Sequence, residues 1–248
     1  MEAAQEIREA VAQVTHLREA ARAQPGLGAA VMAVKRLQHQ RFAGTYADLL
    51  ADPRHQQAAR FFLDELYGCD DFSERDAQFS RIAGALERLF PAHVVATAVS
   101  LARLHVLTEQ LDHDLAVQWE RLTDDPAASE AARYTTAWRA VDRRPERGTQ
   151  LEVVMAIGSE LERLTRMPGL RMALRLMRKP AAAAGLAALQ AFLEAGFDTF
   201  AVLARQPDGA RIFLDTIRTR ESAWIDRLFD ADFVACETQL AQTLGQAR

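Results

Sequence analysis

Apolar side chains recur every three or four positions through most of the chain, and this spacing strongly restricts its fold. Ile7, Val11 and Val14 begin the pattern, which continues almost to the last residues. Residues three and four apart lie on one face of an α-helix, so the spacing predicts amphipathic helices that pack through apolar faces. The 248 residues include only 12 glycines and 8 prolines, too few for the frequent turns of a β-sandwich or barrel. We therefore predict an all-α, multi-helix bundle of about nine to eleven helices.

The longest predicted helix runs from about position 91 to position 122. Val94, Leu101 and Leu104 belong to a dense apolar series that leaves little purely polar surface on this segment. Helices of this kind usually lie at the centre of a bundle, so we expect this one to be central. A polar Asp-Asp-Pro connection at 124–126 follows it.

A second polar connection, at 142–148, is rich in arginine and contains a proline. Thr149 and Glu152 follow it with the spacing of a capping box, which predicts that a new helix opens there. We therefore predict an N-terminal helical bundle over 1–144 and a C-terminal helical region over 149–248 that packs on it. A single domain is the alternative.

Net charge and apolar run length exclude several classes of protein. The formal charge of −4 and the pI near 5.9 give no overall attraction to nucleic acid, so we expect no sequence-specific nucleic-acid binding. No apolar run approaches the roughly 20 residues that span a bilayer, which leaves peripheral membrane contact open. Cys69 and Cys236 match no metal-ligand spacing. We interpret them as reduced thiols of a cytoplasmic protein.

One stretch of the chain carries a resemblance to a known family. The stretch contains Tyr46-Ala-Asp-Leu-Leu-Ala-Asp-Pro-Arg54, then Phe61-Phe-Leu-Asp-Glu-Leu-Tyr-Gly68, then Asp71-Phe-Ser-Glu-Arg-Asp76. It resembles a family of uncharacterised bacterial proteins with a Phe-Phe-x-x-Glu/Asp-Leu-Tyr-Gly signature. Weaker similarity continues through Leu104-His105 and from Lys179-Pro180 to Glu221. The resemblance implies an all-α, cytoplasmic bacterial protein, and it implies no activity and no catalytic residue.

The same stretch can also be interpreted from its residues alone. The paired phenylalanines and the tyrosine supply large apolar area, so the FFLDELYG run predicts a corner between two helices within the N-terminal bundle. The hydroxyl of Tyr67 would then meet a carboxylate or a carbonyl. Tyr67 is also a candidate ligand contact.

His105 and Glu109 are the candidate metal ligands. They lie four residues apart on the long helix and so share a stripe, which Asp112 and His113 continue. A metal or a haem would need neutral imidazole and further ligands from a second helix. Histidines that could supply such a ligand are His16, His39 and His55. The alternative is that a carboxylate satisfies His105 inside the fold, while Asp112 and His113 are solvated.

A basic segment lies between positions 161 and 179. It holds Arg163, Arg166, Arg171, Arg175, Arg178 and Lys179 against the single acid Glu162. Arg171, Arg175 and Arg178 share one helical face. This face could hold an anionic head group, lie on anionic lipid or meet an acidic partner, or its arginines could pair with acids on neighbouring helices.

Three functional hypotheses follow, and the chain has no phosphate loop, nucleophile elbow or metalloprotease motif to decide between them. The leading one is a non-enzymatic helical protein that binds an apolar or amphipathic small molecule, or a protein partner, between helices. Methionine-rich and phenylalanine-rich segments suit such a pocket. The second is a haem- or metal-binding protein that uses His105. The third is an enzyme whose site is assembled across helices, and both a homodimer and a monomer remain open.

Overall fold

The computed structural model describes residues 2–122 and 128–247, and these residues form helices and no β-strand. Eleven of the thirteen helices in this part of the chain have seven residues or more, and the predicted all-α class is confirmed. The helices are α1 (Glu2–Ala23), α2 (Pro25–Thr45), α3 (Ala47–Ala51), α4 (Gln56–Glu65), α5 (Ser73–Leu89), α6 (Ala92–Arg121), α7 (Glu130–Val141), α8 (Arg144–Thr165), α9 (Leu170–Leu176), α10 (Arg178–Ala183), α11 (Ala187–Leu203), α12 (Gly209–Asp230) and α13 (Phe233–Gln246).

Helix α6 corresponds to the long helix that the sequence predicts over 91–122. It begins directly after Pro91 and has 30 residues, in keeping with proline's preference for the start of a helix. Leu111, Leu115 and Ala116 on its C-terminal half are fully buried. The Asp-Asp-Pro connection at 124–126 lies outside the described residues. None of the described helices has both the length and the apolar character needed to cross a membrane.

The chain forms two compact units, each assembled from three separate stretches. The first unit contains the residues up to Thr15, Asp70–Val106 and Glu152–Asp215, and the second contains the described parts of 16–69, 107–151 and 216–248. The division into 1–144 and 149–248 stays a prediction. Compactness alone does not measure which stretch of chain folds independently.

The first unit has a small apolar core between α1, α5 and α6. Ile7, Ala83, Val99 and Ala102 lie in it, all almost inaccessible to solvent. In the same unit α11 packs on α5, and the short helices α9 and α10 pack on α11.

The second unit has the larger core. Here α13 packs on both α2 and α7, and the core includes Leu37, Leu115, Tyr134 and Leu240. Helices α2 and α13 approach very closely at Gly44. A Cβ atom there would lie 1.9 Å from the Thr243 carbonyl oxygen, so no larger residue fits without movement of the backbone.

The predicted polar connection at 142–148 is corrected by the structure. Helix α7 ends at Val141 and is followed by its C-cap residue Asp142, which has a left-handed φ of 50°. Helix α8 begins at Arg144. Proline is tolerated in the first turn of a helix because the N–H that it lacks would have no helical partner there. Thr149 therefore lies inside α8, where its hydroxyl donates to the Pro145 carbonyl at 3.0 Å, and the capping box predicted at Thr149 was wrong.

Candidate functional site

A cluster of buried polar side chains lies in the second unit, with Arg41 of α2 and Glu221 of α12 at its centre. Arg41 donates from Nη1 to Glu221 Oε1 at 3.1 Å and from Nη2 to Oε2 at 2.8 Å. Their relative exposures are only 5% and 8%. Burial would lower the pKa of Arg41, but Glu221, together with Tyr67 and Tyr134, raises it overall. Arg41 therefore remains charged inside the fold.

Two tyrosines add hydrogen bonds to the same carboxylate. The Tyr46 hydroxyl donates to Glu221 Oε1 at 3.0 Å, and the Tyr67 hydroxyl lies 3.4 Å from Oε2. The Phe42 ring contacts both tyrosine rings, with centroids 4.4 and 4.6 Å away. Burial, and then the charge of Glu221, raise the pKa of both hydroxyls. Tyr67 thus meets a carboxylate, as the sequence predicts, and this contact lies within the protein.

Arg147 of α8 is a second buried arginine, but it has no carboxylate partner among the described residues. Its Nη1 donates to Gln150 Oε1 at 3.2 Å, and its guanidinium lies 4.1 Å from the centroid of the Trp138 ring. A guanidinium has five N–H donors. Burial lowers the pKa of Arg147, because removing a charge from water without pairing it is unfavourable.

The aromatic neighbours of Arg147 also carry unused polar atoms. Tyr134 and Trp138 have ring centroids 5.7 Å apart. Within the described residues, the Tyr134 hydroxyl and the Trp138 indole Nε1 are buried without a hydrogen-bond partner. Burial raises the pKa of Tyr134 to about 12. Buried polar atoms of this kind usually have a partner, so each marks a place where a water or a ligand atom would be favourable.

Asp112 and Glu109, both on α6, extend the cluster. Asp112 accepts from Gln38 Nε2 at 3.0 Å, and burial raises its pKa, although Lys35 and other nearby cations act in the opposite direction. Glu109 accepts from Arg18 at 2.7 Å and from Lys35 at 2.9 Å. Burial would raise the pKa of Glu109, but these two cations lower it overall.

Asp112 and His113, at the end of the stripe that begins at His105, were expected to be solvated, and the structure corrects this expectation. Asp112 is only 3% exposed, and the Nδ1 atom of His113 is buried without a hydrogen-bond partner among the described residues. Both lie on a part of α6 that packs inside the second unit, so the polar character of the residues did not indicate exposure.

The cluster contains more basic than acidic groups. Four basic and three acidic side chains belong to it, which leaves one formal positive charge in excess when all are ionised; they are Arg18, Lys35, Arg41, Arg147, Glu109, Asp112 and Glu221. With Arg143, which lines a cavity next to Arg147, and its partners Asp114 and Glu146, the count becomes five basic and five acidic groups, so the formal charges balance.

A nearly closed cavity lies beside Arg147, with essentially no space for the centre of a water-sized sphere. Its walls are mostly apolar or aromatic, with two guanidinium groups, and the lining residues are Leu115, Trp138, Val141, Arg143, Arg147 and Phe229. Pockets for drug-sized ligands usually measure about 300–1,000 Å³. A ligand could therefore enter this cavity only if its lining side chains moved apart.

The two candidate metal ligands have different partners. In the first unit, His105 Nε2 lies 2.9 Å from Asp76 Oδ2, which matches the alternative of a histidine satisfied by a carboxylate. In the second unit, Glu109 is bound by Arg18 and Lys35. No group of three or more His, Cys, Asp or Glu side chains in the described ranges could hold a metal ion. A haem or metal role for His105 and Glu109 stays a prediction.

The arginine face of the first unit is largely paired. Arg171 Nε donates to Asp198 at 2.8 Å, and Arg178 Nε donates to both oxygens of Glu194 at 2.8 and 2.7 Å. Arg175 is exposed and contributes to lowering the pKa of Glu194 from longer range. Arg171 and Arg178 thus pair with acids on neighbouring α11, which was the alternative to a ligand-binding role. A ligand-binding role for this face stays a prediction.

A family model matches residues 17–234, and its family is described as a domain of unknown function, DUF8198. The chain belongs to the DUF8198 family. The match includes the whole buried cluster, from Arg18 to Glu221, and it confirms the resemblance to a family without an established activity. The comparison with curated proteins found no match, and the comparison with solved structures found none.

Sequence reasoning missed most of the polar cluster in this DUF8198 chain. Arg41 and Glu221 are 180 residues apart, so no linear motif joins them. One signal was available, because Arg41 follows Val34 and Leu37 at the spacing of the buried face of α2. Arg147 lay in the arginine-rich segment that was interpreted as a connection.

Proposed function

We propose that the second unit is a binding module whose ligand is a small amphipathic anion with one carboxylate and a short apolar group. The observation that carries this proposal is the buried guanidinium of Arg147, which lines the cavity and has no acidic partner among the described residues. A carboxylate can accept two parallel hydrogen bonds from a guanidinium. Leu115, Val141 and Phe229 would contact the apolar group of the ligand.

Hydrogen bonding supports an anion. Arg147 bonds only to the neutral amide of Gln150, and the N–H of Trp138 has no partner in the described part of the chain. Each such group costs about 1–3 kcal/mol when it is left unsatisfied. Proteins tolerate unfavourable groups of this kind where binding requires them.

Binding fits the geometry better than catalysis does. The acids of this region are already engaged, since Arg41 and Tyr46 hold Glu221 and Gln38 donates to Asp112. Arg143, which lines the cavity, donates to Asp114 and Glu146. None of these carboxylates is therefore placed as a general base for a ligand in the cavity. The proposal keeps the expectation of an amphipathic ligand and requires the lining side chains to move apart when it binds.

The proposal also includes a cytoplasmic location. Cys69 and Cys236 form no disulfide, and Cys236 is buried. Cysteines without a disulfide are typical of reducing compartments. A small metabolic carboxylate would be accessible to the protein there.

The test is a titration of the protein with benzoate and with butyrate, in which tryptophan fluorescence and calorimetry measure binding. We expect saturable binding of at least one carboxylate and much weaker binding of benzamide and butyramide, which have the same shape without the charge. Arg147→Met should abolish binding. Arg211→Met, which changes an exposed arginine of the first unit, is the matched control and should bind as the wild type does.

A stability measurement separates this role from a structural one. Replacing a buried, unpaired charge by an apolar side chain of similar length should raise the free energy of unfolding by about 1–4 kcal/mol. Arg147→Met should therefore lose binding and gain stability. If Arg147→Met binds carboxylates like the wild type, or if the wild type binds none, the proposed function is wrong.

A further inference from the structure

The first unit carries an exposed surface that combines apolar and basic side chains. We call it the basic apolar face and define it by Met172, Arg175, Leu176, Met177 and Lys179. The three apolar members are 62%, 70% and 51% exposed. Such a concentration of exposed large apolar side chains beside basic groups is typical of an interaction surface.

The short helices that carry this face are anchored to α11. Gln190 of α11 donates to the Leu174 carbonyl at 2.7 Å, and Arg171 and Arg178 bind Asp198 and Glu194 of the same helix. None of the residues of α9 is buried. The apolar side chains of the face are therefore not part of the core, although the backbone that carries them is anchored.

The charge around the face is opposite to that of the whole protein. The chain has a formal charge of −4, but the stretch 163–193 contains six basic residues and no Asp or Glu. Four of the six pair with acids outside the stretch, which leaves two positive charges uncompensated. Arg175 and Lys179 are exposed and form no hydrogen bond or ion pair with another described residue. Their charge is therefore available to a partner.

We propose that the basic apolar face docks on an anionic lipid membrane. Its Met and Leu side chains would enter the boundary between the headgroups and the acyl chains, while Arg175 and Lys179 would contact the lipid phosphates. Protein interfaces are usually rich in aromatic residues and poor in lysine. Residues 166–183 contain no Phe, Tyr or Trp, so a membrane fits this face better than a protein partner does.

The docking depends on two contributions that can be separated. Attraction between lysine or arginine and anionic lipid weakens as salt screens it, whereas contact of apolar side chains with acyl chains is not screened. Zwitterionic membranes lack this electrostatic attraction and should not retain the protein. The face is small, so neither contribution alone should give stable binding.

The experiment is co-sedimentation of the full chain with vesicles of phosphatidylcholine and phosphatidylglycerol, compared with phosphatidylcholine alone. We expect binding only to the anionic vesicles, and weaker binding at high salt. Arg175→Gln with Lys179→Gln should weaken binding about 25-fold, since each basic group near a membrane contributes about fivefold in affinity. Arg36→Gln with Arg60→Gln removes two exposed arginines of the second unit and should leave binding almost unchanged.

A second variant tests the apolar contribution. Leu176→Gln with Met177→Gln keeps every charge and should also weaken binding, while circular dichroism checks that the variant remains folded. Equal binding by the control and the Arg175/Lys179 variant, or no binding of the wild type to anionic vesicles, would overturn the proposal. A concentration-dependent dimer that is lost in the Leu176/Met177 variant, without vesicle binding, would replace it by contact with a second copy.

Discussion

Arg41 and Arg147 are both buried in the second unit, but only Arg41 is paired with a carboxylate. The guanidinium of Arg41 donates two hydrogen bonds to the carboxylate of Glu221, and this carboxylate compensates its charge within the protein. Arg147 is equally buried but bonds only to the neutral amide of Gln150. The Arg41–Glu221 pair stabilises a fixed geometry, whereas the guanidinium of Arg147 keeps N–H donors available for a ligand.

Asp112 allows a prediction about pH. Its pKa is raised because burial disfavours the charged form, so the folded protein binds this proton more tightly than the unfolded chain does. The stabilisation that this bound proton gives is present at low pH, and it is lost as pH rises through the pKa of Asp112 in the folded protein. Asp112→Asn keeps an oxygen for the Gln38 amide and should raise the free energy of unfolding near pH 7. This advantage should disappear below about pH 3.9.

Glu109 on the same helix is the control with the opposite sign. Arg18 and Lys35 lower its pKa overall, so its contribution is present above the unfolded pKa and is lost as pH falls through the folded pKa. Glu109→Gln should destabilise the protein near pH 7, and this cost should shrink below about pH 4.3. Urea unfolding at a series of pH values measures both variants. A loss of stability for Asp112→Asn at neutral pH would contradict the assigned effect of burial.

At the level of helices, the contact of α2 with α13 depends on one glycine. A Cβ at Gly44 would lie 1.9 Å from a backbone oxygen of α13, and a backbone atom cannot move aside as a flexible side chain can. Gly44→Ala should therefore lower the free energy of unfolding by about 2–3 kcal/mol, the upper range for overpacking. Thermal and urea unfolding would measure this loss.

Gly148 provides the matched control within α8. A Cβ there would meet no atom within 4 Å, and alanine is favoured over glycine inside a helix by up to about 1 kcal/mol. Gly148→Ala should therefore stabilise the protein slightly. Equal effects of the two substitutions would mean that close packing of α2 and α13 does not govern the outcome at Gly44.

Helices were the part of this structure that the sequence could predict. Apolar spacing is local, so it indicated α6 almost to its ends. The start of α8 was missed because Pro145 is compatible with both a loop and the first turn of a helix. The site was mostly out of reach, since Glu221 pairs with a residue 180 positions earlier and periodicity contains no information about such pairs.

At the scale of the whole molecule, both compact units combine distant parts of the chain. In the second unit, α2 packs on α13 and Arg41 binds Glu221. In the first, the backbone N–H of Leu189 donates to Gln78 at 2.8 Å. A cut after residue 144 would separate the partners in every one of these contacts, so the contacts oppose independent folding of the segment 1–144.

The predicted domain division can be tested directly with two fragments of the chain. The fragment 1–144 lacks α12 and α13, which leaves the buried charge of Arg41 unpaired and exposes the apolar face of α2. We expect it to retain helical circular dichroism but to unfold without a cooperative transition, to bind a hydrophobic dye and to give poorly dispersed NMR spectra. Adding the fragment 145–248 should restore cooperative unfolding, because the missing partners of both units are then present. A fragment 1–144 that unfolds cooperatively by itself would establish an independent N-terminal domain, and the interleaved contacts would then add stability without being required for folding.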